Sequence, residues 1–294
     1  MSEERNDETQ EIGLEAAGAR PLFQLSAMGR VGLGILIFWV AVAIFGPLLA
    51  PYDPADMVAD ESFAPMSAAY PLGTDYVGRD ILSRLLYGAR LTMSLSLAST
   101  LLAFFVGISL GFTAALSGPK TDMVISRIYD AFLSMPTIML GLVVIAALGS
   151  SIPVLVITAG LIYSCGLYRI ARALAAEIKV MDFVEAARAR GEKLPWIIRR
   201  EILPNAVVPL VAEFGLRLVF SILFISGLSF LGLGVQPPTA DWGVMVRENL
   251  GGLVYGSPAA FVPAAAIATL TVGINLVVDD FSAQRGQEIA EEMI

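Results

Sequence analysis

The stretch FVEAARARGEKLPWIIRREILPNAVVPL, Phe183–Leu210, lies between two long apolar runs and concentrates charge in a chain that otherwise has little. Lys179 to Arg200 holds six of the nineteen Lys and Arg residues. Hydrocarbon solvates such a cluster badly, so the stretch must leave the bilayer and meet water, headgroups or protein. Phe183, Ala187, Gly191 and Leu194 recur at helical spacing and form one small-to-apolar stripe, with Glu185, Arg188, Ala189 and Glu192 on another face. Pro195 is expected to end this short helix. Pro204 is expected to close a second one, WIIRREIL, before the next apolar run. Small side chains at Ala186, Ala187 and Gly191 admit a close neighbour. The arginines suit either anionic lipid headgroups or a protein partner.

The rest of the chain explains why charge is scarce. Of 294 residues, 56% are hydrophobic and 16% charged, with a mean hydropathy of +0.73. Soluble domains have about 45–50% apolar and about 25% charged residues, so the composition is that of a multi-pass membrane protein. One cysteine and no histidine exclude an intrachain disulfide, the usual Cys/His metal sites and histidine acid–base chemistry. The net charge of −8 is concentrated at the ends: residues 1–15 carry six acids and residues 279–294 five. Both ends read as solvated tails, and the acidic N-terminal segment does not read as a cleaved leader. No basic patch suited to nucleic acid is present.

About twenty apolar residues cross the hydrocarbon core as a helix. Six runs qualify: 31–50, 91–116, 131–149, 152–171, 207–234 and 259–278. With the N-terminus inside, the inner segments hold fourteen of the nineteen basic residues and the outer segments four. The positive-inside rule therefore predicts both termini in the cytoplasm, and the opening stretch with them.

The residues of that stretch then carry a resemblance. Glu185-Ala186-Ala187, Gly191 after three residues, and Leu203-Pro204 resemble the EAA motif of importer permeases of the ATP-binding-cassette (ABC) superfamily. Tyr70–Thr100, Arg127–Leu140 and Ser229–Leu250 resemble the C-type subunit of the dipeptide/oligopeptide (peptide/nickel) group. The resemblance implies an all-α integral membrane protein of six transmembrane helices with the type I importer permease fold. It implies an acidic tail 1–30, a first helix and periplasmic loop 31–88, a transmembrane domain 89–280 with a coupling loop 172–206, and a tail 281–294. It also implies a bacterial inner membrane location, a homologous B-type permease subunit, two cytoplasmic ATPases and a substrate-binding protein. ATP and Mg would be bound by the ATPases, with no cofactor or metal in this chain. The ATPase-docking residues would be Glu185, Ala186, Ala187, Gly191, Glu192, Lys193, Glu201, Leu203 and Pro204. Two positions depart from the pattern. Glu192-Lys193 replaces a small pair, and Glu201 a histidine, which predicts a docking face with its own charge preference.

Three other groups stand out. In the outer loop, Asp75 is placed to cap a short helix and Asp80–Arg84 to form an i, i+4 pair; Asp75, Arg79, Asp80 and Trp242 read as fold-forming residues or as periplasmic contacts, with Trp242 an interfacial anchor. Glu213 and Arg217, four apart on one helix face within the fifth run, read as a mutual ion pair holding subunits together or as a cavity or gate. Asp130 at the start of the third run favours the helix dipole, Pro136 kinks that run, and Cys165 is a packing residue. No G-x-x-x-x-G-K-[ST] phosphate loop occurs and no nucleophile arrangement is evident, so the chain reads as a transport subunit, not an enzyme. Peptides are the expected cargo, with nickel complexes, glutathione or other small solutes as alternatives. An ion-gradient-driven transporter or channel would place ionisable groups at the midplane, where acids are nearly absent apart from Glu213.

Overall fold

The computed structural model describes residues 25–292, and side chains as far as residue 284; the acidic segment 1–15 lies outside the described residues. Helices α1 (Ala27–Leu49), α2 (Ile81–Ser117), α3 (Pro119–Leu133), α4 (Thr137–Leu148) and α5 (Ile152–Ile178) come first. The charged stretch supplies α6 (Asp182–Ala189), a single turn α7 (Leu194–Ile197) and a wide π turn, Ile198–Ile202, which runs directly into α8 (Leu203–Phe230). Then follow α9 (Trp242–Glu248), a 3-10 turn (Leu250–Tyr255) and α10 (Phe261–Glu292). Among the described residues no strand forms; two isolated bridges, Met57 with Arg79 and Thr74 with Asp80, pin the outer loop.

Among the described residues, five helices are long and apolar enough to cross a membrane, or six if α3 and α4 count as one bent span. The expected third span is thus broken rather than kinked: α3 and α4 meet at 89°. Pro136 has no N–H, and its ring collides with the carbonyl four residues back, so the helix stops at Leu133. Asp130 consequently lies in the last turn of α3, not at a helix start, and the dipole disfavours it there. The predicted second run begins too late, because α2 starts at Ile81. The tail expected beyond residue 280 continues α10 to Glu292.

The largest helix contact is between α2 and α5. On α2, Ala103, Gly107, Gly111 and Ala115 recur every four residues and are all buried. A Cβ at Gly107 would lie 2.9 Å from the Ser164 carbonyl oxygen, and one at Gly111 would lie 2.8 Å from that of Tyr168. In the other direction, a Cβ at Gly160 would lie 2.7 Å from Leu102 Cδ2. Apolar burial alone does not bring helices together in lipid; close van der Waals contact does, and missing side chains permit it. Helices α1 and α10 pair by the same means: a Cβ at Gly32 would lie 2.8 Å from the Gly273 carbonyl oxygen. At the inner end of that pair, the Ser26 N–H donates to the Asp280 carboxylate at 3.2 Å.

Proline inside α1 leaves a debt that α2 settles. Pro47 cannot donate to the Ala43 carbonyl, and an unsatisfied carbonyl at the edge of the membrane costs several kcal/mol. Arg90 Nε donates to Ala43 at 3.0 Å and Arg90 Nη2 to Ile44 at 2.9 Å.

The end of the bundle at which α2 begins, the one expected to lie outside, is closed by a buried ionic cluster. Arg79 donates to Asp75 at 2.6 Å and to Glu248 at 3.0 Å; Arg84 meets Glu248 at 3.2 Å and Asp75 at 3.5 Å. Arg84 also donates to the carbonyls of Pro54 and Pro238, so one guanidinium joins both outer segments to the start of α2. The capping residue of α2 is Asp80, which accepts from the Ser83 N–H at 2.7 Å; Asp75 does not cap it, and Arg84 pairs with Asp75 rather than Asp80. Trp242 is fully buried, with Nε1 donating to the Leu85 carbonyl at 3.0 Å, so it is not an interfacial anchor. Gly88 makes its slot, since a Cβ there would lie 2.8 Å from Trp242 Cδ1. Burial pushes the Asp241 carboxyl above its usual range, while hydrogen bonds from Thr92 and the Val244 N–H pull it back.

Two outcomes follow. Gly107→Leu overpacks the α2–α5 contact and should destabilise the fold by about 1–3 kcal/mol, read as a lowered unfolding temperature in detergent. Arg84→Met leaves Arg79 alone to balance two buried carboxylates and should lose about 3–5 kcal/mol, whereas Arg84→Met combined with Glu248→Gln should lose less; the same melting measurement ranks them.

Candidate functional site

The charged stretch forms a hairpin seated on the C-terminal ends of α2 and α5 and the start of α8. Helix α6 turns Val184 and Ala187 inward, both fully buried, against Ile178 of α5 and Ile197, Ile202 and Ala206. Burying a valine side chain is worth about 1.5–3 kcal/mol, and this cluster is continuous with Phe112, Ala115 and Ala171 of the α2–α5 contact. The inward stripe is therefore Val184–Ala187. The expected stripe through Phe183, Gly191 and Leu194 does not form, since Phe183 and Gly191 are exposed. The opposite face, carrying Glu185, Ala186, Arg188, Ala189 and Arg190, is exposed too.

Gly191 ends α6 in the left-handed region at φ +84°. Its N–H donates to Arg188 at 2.9 Å, and the Glu192 N–H to Ala187 at 3.2 Å. This pair of bonds is the Schellman cap, which needs a residue free to adopt positive φ. Nothing lies within 4 Å of a Cβ built there, so within this chain glycine serves conformation and leaves open space outside. The chain then reverses. Pro195 opens α7 instead of ending α6, and Pro204 sits inside a continuous helix instead of closing one. The π turn immediately before Pro204 accounts for this. It carries the Leu203 N–H to the Ile198 carbonyl, five residues back, and widens the helix where the proline ring needs room.

The remaining motif residues divide by environment. Lys193, Leu203 and Pro204 are exposed and Glu192 is half-buried. Glu201 is turned back towards Arg190 at 3.9 Å, while Arg190 lies over the Trp196 ring at 5.9 Å. With Arg190 57% exposed, this ion pair is worth no more than about 1 kcal/mol. It steers Glu201 along the hairpin and leaves Asp182, Glu185 and Glu192 as its acids without an ion pair among the described contacts.

The Glu213–Arg217 pair forms as expected, directly between the two side chains along α8, which are 12% and 16% exposed. It faces α5 at Gly166, where a Cβ would lie 2.9 Å from Arg217 Nη2. Asp75, Arg79, Asp80 and Trp242, by contrast, are buried within the outer cap and offer no side-chain surface. Sequence reasoning missed Glu248, whose partner Arg84 is 164 residues away, and the Asp122–Arg172 pair that ties α3 to α5. No local spacing signals either. Among the described residues, no group of His, Cys, Asp and Glu is arranged to hold a metal ion.

Comparison with known proteins places this architecture. Residues 107–283 match the family described as the binding-protein-dependent transport system inner membrane component, and residues 26–73 match the N-terminal transmembrane domain of oligopeptide transport permease C. The di/tripeptide transport system permease protein DppC of Pseudomonas aeruginosa is 33% identical over 88% of this chain and 89% of its own length. The glutathione transport system permease protein GsiD of Pectobacterium atrosepticum is 33% identical over 84% of this chain and 82% of its own. Among solved structures, a chain of the inward-facing MetNI methionine ABC transporter superposes with a TM-score of 0.53 at 19% identity, covering 66% of this chain and 93% of that one, a likeness of fold. With its helices, its EAA hairpin and these relatives in agreement, the chain belongs to the inner membrane components of binding-protein-dependent transport systems, as a permease subunit of an ABC importer.

Proposed function

We propose that this chain carries di- or oligopeptides inward across the bacterial inner membrane, driven by ATP hydrolysis on two partner ATPases, one of which docks on the α6 hairpin. The observation that carries this reading is the hairpin's two-sidedness. Its inner face is anchored by Val184 and Ala187 in the apolar cluster shared with α2, α5 and α8, while its outer face exposes Glu185, Ala186, Arg188 and Arg190. A force on the exposed face therefore reaches three spanning helices through packed side chains, which resist compression. Coupling of this kind needs a rigid element tied to a bundle with two arrangements. The dock would be Glu185, Ala186, Gly191, Glu192, Lys193, Leu203 and Pro204, with Ala187 and Glu201 holding its shape. Both termini would be cytoplasmic, in keeping with the distribution of basic residues.

A homologous B-type permease subunit would complete the pathway, and a periplasmic or lipid-anchored binding protein would deliver the cargo. Peptide is favoured by relatives named for dipeptide and di/tripeptide transport; glutathione, named for other relatives, is itself a peptide and is the second candidate.

Co-purification tests the reading: the chain should hold an ATPase whose hydrolysis rises when the loaded binding protein is added. Ala186→Arg should leave the unfolding free energy within about 0.5 kcal/mol of the parent, as exposed positions do, and should abolish ATPase retention. Gly191→Val forces a branched side chain into positive φ at about 1–2 kcal/mol and should weaken retention, with Gly191→Asn milder. Retention unchanged by Ala186→Arg would place the dock elsewhere.

A further inference from the structure

Glu213 and Arg217 sit ten and fourteen residues into the 28-residue α8, about 15 and 21 Å along it at about 1.5 Å per residue. They therefore lie near mid-depth of a spanning helix. They are not sealed inside the bundle, for both side chains retain some exposure. Around them the seam between α5 and α8 carries aromatic rings. Arg217 lies 5.9 Å over the Phe220 ring, Tyr163 stacks on Phe220 at 6.2 Å, and Gly166 leaves room for the guanidinium. Arg217 Nε is buried without a hydrogen-bond partner. A charge pair with surface exposure and an unmet donor is disfavoured against acyl chains at this depth, so this groove faces water or protein.

We propose that the groove faces the water-filled path and that the pair there receives the two ends of a zwitterionic peptide, Arg217 taking the carboxylate and Glu213 the ammonium group. This deepens the peptide-importer reading and rests on it. The charge balance is the argument. When empty, the two residues neutralise each other; when filled, one ion pair is exchanged for two and no net charge enters the membrane. Side chains four apart on a helix are neighbours at about 5–6 Å between Cβ atoms, so the two can part without any backbone movement. Because the ligand must compete with a closed pair, its hold is weak, as passage requires: a site on a path must release what it binds. Tyr163 and Phe220 supply the apolar wall for the side chain between the peptide ends.

The test uses the whole complex, with its partner permease, ATPases and binding protein, in proteoliposomes. In a Cys165→Ala background, Arg217→Cys should react with an anionic, membrane-impermeant methanethiosulfonate, which attacks only wetted thiols. No reaction would mean that the partner permease covers the groove, and would overturn the proposal. Uptake of dialanine is then compared with that of its C-terminal amide. Arg217→Gln should shrink the free-acid preference about tenfold, the scale of one charged hydrogen bond. Arg217→Lys should keep part of it, and supplies the ratio should the glutamine variant fail to retain the ATPases. A ratio unchanged in Arg217→Gln assigns the pair to structure alone. Parent complex that carries neither peptide would overturn the peptide reading instead, while the thiol reaction still reports whether the groove is wet.

Discussion

Everything at the inner end of this molecule depends on how closely α2 approaches α5. In lipid, two apolar helices gain little by hiding from their surroundings, so the contact must come from shape. Gly107 and Gly111 bring the backbone of α2 to the carbonyls of Ser164 and Tyr168, and Ala103 and Ala115 extend the same narrow face. That approach aligns the inner ends of both helices into a floor, and the α6 hairpin is built on it through Val184 and Ala187. A hairpin on a looser floor would present the same exposed residues without transmitting their displacement.

The outer end is held by a different kind of interaction. Two arginines and two acids alternate, so each charge meets two of opposite sign. Burying such a cluster gains little over apolar packing, but removing one member is severe. Specific pairing is useful here because the segment between α1 and α2 forms no helix or strand of its own with which to find its place. Arg90 solves a smaller problem in the same way, supplying the donor that Pro47 lacks. The molecule thus uses shape where lipid surrounds it, and directed charge where its chain is irregular.

The hairpin shows how far the sequence could be read. Glu185-Ala186-Ala187, Gly191 and Leu203-Pro204 were recognisable because their spacing is local. The exposure of Glu185 and Ala186, and the burial of Ala187, are consistent with a helix lying on a surface. Which residues point inward was misjudged by one position, Phe183 for Val184, because on an eight-residue helix the stripe is set by the floor beneath it rather than by period. By local rules both prolines are stops. Pro195 starts a turn, and Pro204 is carried by the wide turn ahead of it, since neighbouring helices can re-satisfy a spanning helix at proline. The same rule applied to Pro136 underestimated the break between α3 and α4.

Composition, apolar run length and the distribution of basic residues determined that this is a multi-pass helical membrane protein, and the EAA hairpin determined its family. These signals are one-dimensional: a length of apolar chain, a charge count, a motif within twenty residues. Only the tertiary structure decided that Asp75, Arg79, Asp80 and Trp242 are interior residues of the outer cap, that Arg84 belongs with Glu248, and that Arg217 rests in the notch of Gly166. Each of these depends on partners far away in the chain. A charge in a membrane protein takes its meaning from what faces it, and that is settled only when the helices have packed.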